Sequence, residues 1–323
     1  MRSLVHSNIE VRVRVLLFGA NGFLGASVAR RLREAGHTIS AMARNPESEA
    51  GLEQAGIAPV RGSFENLPAL AQVAFGFDAI VFAAKIPFEA ESSVVGPLLD
   101  SFAGTGKPFL FTSGTSCLSI PTPHGEWDQN SFSEDDDVEP MLWTGVRMKS
   151  EHLVRTAAAN GVRSMVVRPP MIWGNGGGNG QVAWMFEAVE RMGAACYLGM
   201  GLNLYSGVHV DDLADVYALA LERGQAGALY HAVSGEVNWR TIAEAVGQVM
   251  GCPARSISYD EMCKLWGEQD APYRFGVSSR SRAVKTREHL GWAPTRPDLI
   301  DDIRNGSYRA RFASDSREIF EVE

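Results

Sequence analysis

The chain has 323 residues, 45% of them hydrophobic, and a formal net charge of −8. That acidic balance excludes a general nucleic-acid binder, which needs a basic surface, and no apolar run approaches the ~20 residues that span a bilayer. Cys117, Cys196, Cys252 and Cys263 are scattered with no Cys-x-x-Cys pair, which excludes a zinc or disulfide framework.

Residues 1–10 carry Arg2, His6, Asn8 and Glu10 and no apolar core, so no signal peptide is expected and a cytoplasmic location is. Residues 11–18 predict a strand and residues 23–35 a helix. Between them lies Gly19-Ala20-Asn21-Gly22-Phe23-Leu24-Gly25. In that context each glycine has a job. Gly19 turns the chain off the strand, Gly22 lets backbone approach a pyrophosphate, and Gly25 lets the helix pack close to the sheet. The helix N-terminus offers N–H groups and a positive dipole end to phosphates. The sequence therefore predicts a dinucleotide site that includes Gly19, Asn21, Gly22, Phe23, Leu24 and Gly25.

Apolar runs end near Phe18, Ala43, Val60, Phe82, Phe111 and Val167, with helical patterns at 23–35, 47–55, 67–74, 94–103 and 143–160. Repeated βα units predict an α/β fold, a doubly wound parallel sheet of Rossmann type with a smaller mixed C-terminal lobe. Residues 11–174 and 207–236 are assigned to the dinucleotide-binding domain, 175–206 and 237–311 to a substrate lobe, and 312–323 to a loosely held charged tail. Residues 175–180, with four glycines in six positions, predict a flexible loop. The run Glu134-Asp135-Asp136-Asp137 has no histidine nearby and reads as a solvated loop; no metal site is expected.

The second strand ends in Arg44-Asn45, with no carboxylate at its tip. A carboxylate there would repel a 2′-phosphate, whereas a guanidinium grips one with paired hydrogen bonds. NADP is therefore favoured over NAD. Further cofactor contacts are expected from the next strand ends: Ser63 and Phe64; Ala83, Ala84 and Lys85; Thr112 and Ser113.

With these motifs in view, the chain resembles the extended and atypical short-chain dehydrogenase/reductases, which include nucleotide-sugar epimerases and 3β-hydroxysteroid dehydrogenases. The resemblance rests on Gly19 to Gly25, Phe111-Thr112-Ser113-Gly114, Arg168-Pro169-Pro170-Met171-Ile172-Trp173-Gly174, Val208-His209-Val210-Asp211-Asp212 and Leu290-Gly291-Trp292-Ala293-Pro294. It implies that Pro169 and Met171 lie beside a nicotinamide. His209 and Asp211 read as structural, with Asp211 placed to cap a helix.

The family's chemistry uses a tyrosine acid, a lysine four residues later that holds the ribose, and a glutamate four residues after that. Anchored on Glu151, the lysine position is Arg147 and the tyrosine position is Trp143; the first tyrosine in the chain is Tyr197. An indole only donates hydrogen bonds and cannot protonate an alkoxide. Arg147 keeps its charge and can hold ribose hydroxyls or polarise a substrate oxygen, yet it is a poor acid. Tyr205 and His124 are the candidate replacement acids, and Thr115 is the candidate for binding the substrate oxygen.

The favoured reading is an NADPH-dependent reductase of atypical mechanism, moving hydride to a small hydrophobic or aromatic carbonyl, imine or enone. The loss of a general acid slows such chemistry by about 10²–10⁴-fold without forbidding it. A non-catalytic NADP(H) sensor is the first alternative, motivated by the missing pair. An epimerase or dehydratase is the second, disfavoured because that chemistry leans on the tyrosine. The expected partner is a small-molecule substrate, without nucleic acid or membrane. The family's habit of pairing through the helix at 143–160 makes a homodimer an expectation.

Overall fold

The computed structural model describes residues 12–319 apart from 179 and 297, with side chains through residue 313. In β1 (Arg14–Phe18) the residues Val15, Leu16, Leu17 and Phe18 are all buried. A strand apolar on both faces needs cover on both sides, which is the condition of a central parallel strand. The βα alternation continues through α1 (Phe23–Glu34), β2 (Thr38–Ala43), α2 (Pro46–Gln54), β3 (Ala58–Arg61), α3 (Leu67–Phe75), β4 (Ala79–Phe82), α4 (Glu91–Ser101) and β5 (Pro108–Thr112). A short β6 (Ile120–Pro121) and a long loop lead into a 3-10 turn (Trp143–Val146) continuous with α5 (Arg147–Thr156), followed by β7 (Arg163–Arg168) and β8 (Met171–Trp173). The second half carries α6 (Gln181–Met192), β9 (Ala195–Leu198), β10 (Leu204–His209), α7 (Val210–Arg223), β11 (Leu229–His231), β12 (Gly235–Asn238) and α8 (Trp239–Met250). It ends with β13 (Ala254–Ile257), α9 (Tyr259–Trp266), α10 (Ala271–Arg274), β14 (Val277–Ser278), α11 (Val284–Leu290), α12 (Leu299–Asn305) and α13 (Ser307–Ile319).

Among the described residues, seven strands form a parallel sheet in the order β11-β7-β5-β4-β1-β2-β3. The order reverses between β1 and β4, and the crevice beyond their carboxyl ends is where such sheets bind ligands. Pro59 lies in β3, an edge strand, where a missing N–H is tolerated. Strand alternation sends Val15, Leu17, Val81 and Leu110 to one face, against α1 and α7. Leu16, Phe18, Phe82 and Phe111 face the other way, toward α3, α4 and α5.

A third apolar cluster, around Trp239, Phe275, Phe186 and Tyr308, lies in the C-terminal half. There β10 joins β8 in parallel and β12 antiparallel, while α7 and β11 return to the main sheet. The small sheet thus draws its strands from both sides of the residue boundaries set out above.

Three expectations change. Glu134 is not solvated: it is 5% exposed and accepts hydrogen bonds from the backbone N–H groups of His231, Val284, Lys285 and Thr286 and from the Thr286 hydroxyl. A carboxylate that satisfies the start of α11 can be buried because its charge is fully hydrogen-bonded. The cap of α7 is His209, not Asp211. The His209 Nδ1 accepts from the Asp211 N–H at 3.1 Å, and Asp211 sits in the first turn, paired with Arg30 of α1 at 2.6 Å. The glycine loop is tied down, since Arg311 Nη1 donates to the carbonyls of Gly176 (2.6 Å) and Gly178 (3.1 Å). Past Phe312, which stacks on Phe186 at 4.5 Å, the chain continues helical to Ile319. Residues 1–11 and 320–323, on which the leader and the end of the tail were judged, lie outside the described residues.

Candidate active site

Gly19 has a φ of +90°, a left-handed value that disfavours any side chain, and a Cβ there would lie 2.6 Å from the Ala83 carbonyl oxygen. A Cβ on Gly25 would collide with the backbone of Gly19 itself, whereas one on Gly22 would meet nothing closer than Gly19 O at 3.3 Å. Gly19 and Gly25 therefore let the turn close against β4, and Gly22 keeps its outer side open. Gly22 is the N-cap of α1 and no side chain caps the helix, so the first-turn N–H groups are left for an anion. Asn21 fixes the turn to the next unit by donating to the Ser48 carbonyl at 3.1 Å.

Arg44 stands exposed at the tip of β2. Its backbone N–H goes to Ser48, while its guanidinium has no partner among the described residues. Asn45 caps α2 in a reciprocal pair with Ser48, which holds the strand tip still. Phe64 closes over the strand ends, with ring centroids 6.0 Å from Phe18 and 5.8 Å from Phe82. Ser63 turns its hydroxyl to the Glu65 N–H. Gly19 to Gly25, Arg44, Ala83, Ala84 and Thr112 thus stand at the carboxyl ends of β1, β2, β4 and β5, the edge at which sheets of this kind bind ligands.

Arg147 opens α5 and reaches the end of β5. Its Nη2 donates to the Thr112 carbonyl at 2.9 Å, and its Nε and Nη2 grip Glu91 of α4 at 3.0 and 2.6 Å. Both side chains are largely buried, at 12% and 3% exposure. Burial pushes the Glu91 carboxyl above the ordinary carboxylate range, against the pull of Arg147. The guanidinium also lies over the Phe88 ring at 4.4 Å. One turn on, Glu151 is buried and accepts from Ser113 Oγ and from both arms of Arg168. Glu151 thus fixes α5 against β5 and β7, with Arg147 four residues ahead of it.

Trp143 lies in the turn before α5 and is 52% exposed. It stacks on Phe88 (5.4 Å) and meets Tyr273 of α10 edge-on (5.5 Å). Together with Lys85, Asp270 and Ile86 these rings line an open cleft of about 460 Å³. Tyr273 donates its hydroxyl to Asp270, and Arg274 lies over its ring at 5.0 Å. Burial and the Asp270 carboxylate push the phenol up to about 12.

Residues 19–183 match the family model described as NAD(P)H-binding. The chain belongs to the NAD(P)H-binding family. Over 307 residues this NAD(P)H-binding protein is 29% identical to "Uncharacterized protein C2A9.02" of Schizosaccharomyces pombe, covering 92% of this chain and 100% of that one. It is 25% identical to the sterol-4-alpha-carboxylate 3-dehydrogenase, decarboxylating, of Dictyostelium discoideum over 69% of this chain and 71% of that one. A dTDP-glucose 4,6-dehydratase of Streptomyces venezuelae, solved with NAD and TYD bound, shares the fold at a TM-score of 0.74 and 19% identity, covering 95% of this chain and 99% of that one. The resemblance to extended short-chain dehydrogenase/reductases is borne out.

The other residues singled out from the sequence of this NAD(P)H-binding protein are placed unevenly. Lys85 and Trp143 reach the cleft, with Arg147 beneath Phe88. Tyr205 does not reach it: it is 5% exposed, packed edge-on to Trp239 at 5.7 Å in the C-terminal core. Thr115 is 1% exposed, with its hydroxyl toward Ser279 Oγ. Met171 is buried in the same C-terminal cluster, and the Ser113 hydroxyl is taken by Glu151. Pro169 is buried, with its carbonyl accepting from the Thr115 N–H at 3.0 Å. His124 is exposed on the loop after β6, tied through its backbone to Glu126 and Met200. The C-terminal lobe accounts for Tyr205, Thr115 and Met171, which it packs over and buries; Ser113 is taken up by α5, and His124 stands on an exposed loop away from the cleft lining.

Sequence reading missed Glu91, Phe88, Asp270 and Tyr273. An acidic residue at a helix start reads as a partner for the helix dipole, so Glu91 carried no sign of its role. Asp270 and Tyr273 sit at Asp270-Ala271-Pro272-Tyr273, far along the chain from Trp143.

Proposed function

We propose that this protein is an NADPH-dependent reductase acting on a small, flat, hydrophobic or aromatic carbonyl, imine or enone. The observation that carries the reading is the open cleft between Trp143, Phe88 and Tyr273, beside the Arg147 end of the sheet. At about 460 Å³ it falls within the range of small-molecule sites, and its apolar walls with a few polar groups suit a planar substrate. A pure sensor of cofactor has no need of such a second space. An epimerase needs a base where Trp143 stands.

A bound reduced nicotinamide would supply the hydride. The chain's own part is to hold and orient. Gly19 to Gly25 receive the phosphates, and Arg44 receives the 2′-phosphate that distinguishes NADPH. Arg147 lends a fixed positive charge near the reacting end. Its grip on Glu91 keeps that charge in one place. The sterol dehydrogenase relative is consistent with hydride chemistry on a hydrophobic substrate.

The test is NADPH oxidation, followed by absorbance, with 4-nitrobenzaldehyde and a set of aromatic ketones, imines and enones. Turnover is expected, and Trp143→Ala is expected to raise KM more than it lowers kcat by opening one wall of the cleft. Turnover of nucleotide sugars in place of these compounds would contradict the reading.

A further inference from the structure

Replacement of the family's tyrosine by Trp143 leaves the reaction without its usual proton source. Trp143 has no exchangeable acid, Arg147 is pinned by Glu91 and Thr112, and Tyr205 is sealed in the core. Tyr273 is different. It lines the cleft, half-buried, with its ring 5.5 Å from that of Trp143. It comes from α10, a short helix of the C-terminal lobe, whereas Trp143 comes from the turn before α5.

We propose that Tyr273 is the proton donor of this site, its hydroxyl hydrogen turning from Asp270, which holds it at rest, to the substrate oxygen in place of the missing tyrosine. The proposal rests on the reductase reading above. As the carbonyl carbon gains hydride from the reduced nicotinamide, the π pair of the C=O bond moves onto oxygen. That oxygen bonds the proton of Tyr273; the phenol O–H bond breaks and its pair stays as phenolate. Solvent returns a proton to the phenolate through the open mouth of the cleft.

The charged groups around the phenol set its strength. Asp270 accepts its hydrogen bond, Arg274 lies over its ring and is itself paired with Asp270 at 3.2 Å, and Lys85 and Glu89 line the same cleft. Asp270 keeps the phenol protonated through the neutral range, and Arg274 faces the phenolate that donation leaves.

Three proteins test the proposal: wild type, Tyr273→Phe and Asp270→Asn, each with NADPH and 4-nitrobenzaldehyde. NADPH affinity, read by tryptophan fluorescence, is expected to be unchanged in all three. Tyr273→Phe is expected to lower kcat by about 10²–10⁴-fold, the usual worth of a general acid. Without any substrate, absorbance of phenolate against pH in wild type minus Tyr273→Phe is expected to show a step near pH 12. Asp270→Asn removes the carboxylate that raises it, so the step moves down in pH and the alkaline limb of kcat moves with it. Full turnover in Tyr273→Phe overturns the proposal while leaving the reductase reading intact. A wild type that binds NADPH and reduces none of the test compounds overturns both.

Discussion

Arg168, His231 and Glu134 show how single side chains join the end of the sheet to the C-terminal segment. Arg168 Nη1 lies 3.1 Å from His231 Nε2, and His231 Nδ1 lies 3.1 Å from the Arg282 carbonyl. An arginine can only donate, so Nε2 accepts and the ring proton sits on Nδ1, facing the carbonyl. The ring is neutral. Burial, then the Arg168 charge, pulls its pKa below the ordinary 6.5. An unfolded chain with an ordinary histidine binds a proton that the folded chain refuses. Stability is therefore complete above about pH 6.5 and falls as pH drops below it, until the folded ring itself titrates. Urea unfolding from pH 7.5 to 5 is expected to show this slope, and His231→Gln to flatten it; an equal slope in the variant would assign the loss to other groups. At this scale the sequence was read well where the chemistry is local. The spacing from Glu151 puts Arg147 at the lysine position of the motif, and the structure sets its guanidinium at the end of β5, where it holds Thr112 O. Glu134 was illegible because the backbone groups it satisfies, from His231 to Thr286, lie far along the chain, and Tyr273 because Trp143, the ring it meets across the cleft, does too.

The glycine turn and its flanking β1 and α1 were legible as an element because the physical demands are local: a left-handed φ at Gly19 and helix–turn contact at Gly25. Those demands differ by position, and the difference is testable. Gly25→Ala would force its methyl into the Gly19 backbone, so the turn must open and cofactor binding is expected to be lost. Gly22→Ala has 3.3 Å to its nearest neighbour, so the fold is expected to hold with a far smaller change in melting temperature than Gly25→Ala produces. Thermal unfolding and NADPH titration of both variants decide it; equal effects would contradict the close-packing argument. The cap of α7 was misread because an aspartate after a histidine looks like the cap. Here the ring of His209, edge-on to Trp173 at 4.9 Å, does the capping instead.

On the scale of the whole molecule, the parallel sheet was legible because apolar strand runs alternate with helical patterns, and its central strands β1, β4 and β5 are almost wholly apolar and buried. The position of the C-terminal lobe was not, because its strands are short and its pairings, β10 with β8 and β12 and β14 with β6, join distant segments. That lobe decides the site. It buries Thr115, Tyr205 and Met171, and it brings Asp270 and Tyr273 opposite Trp143. Among the described residues no helix is long and apolar enough to cross a membrane. On the proposed function, the sheet edge holds NADPH and Arg44 chooses it over NADH. The most direct measurement is titration of wild type and Arg44→Ala with both dinucleotides, read from the protein's seven tryptophans. The account predicts that NADPH binds about ten-fold or more tightly than NADH, the worth of one charge-assisted contact of about 1.5–3 kcal/mol. It also predicts that Arg44→Ala removes this difference by weakening NADPH alone. Tighter binding of NADH, or an Arg44→Ala variant that keeps the preference, would contradict it.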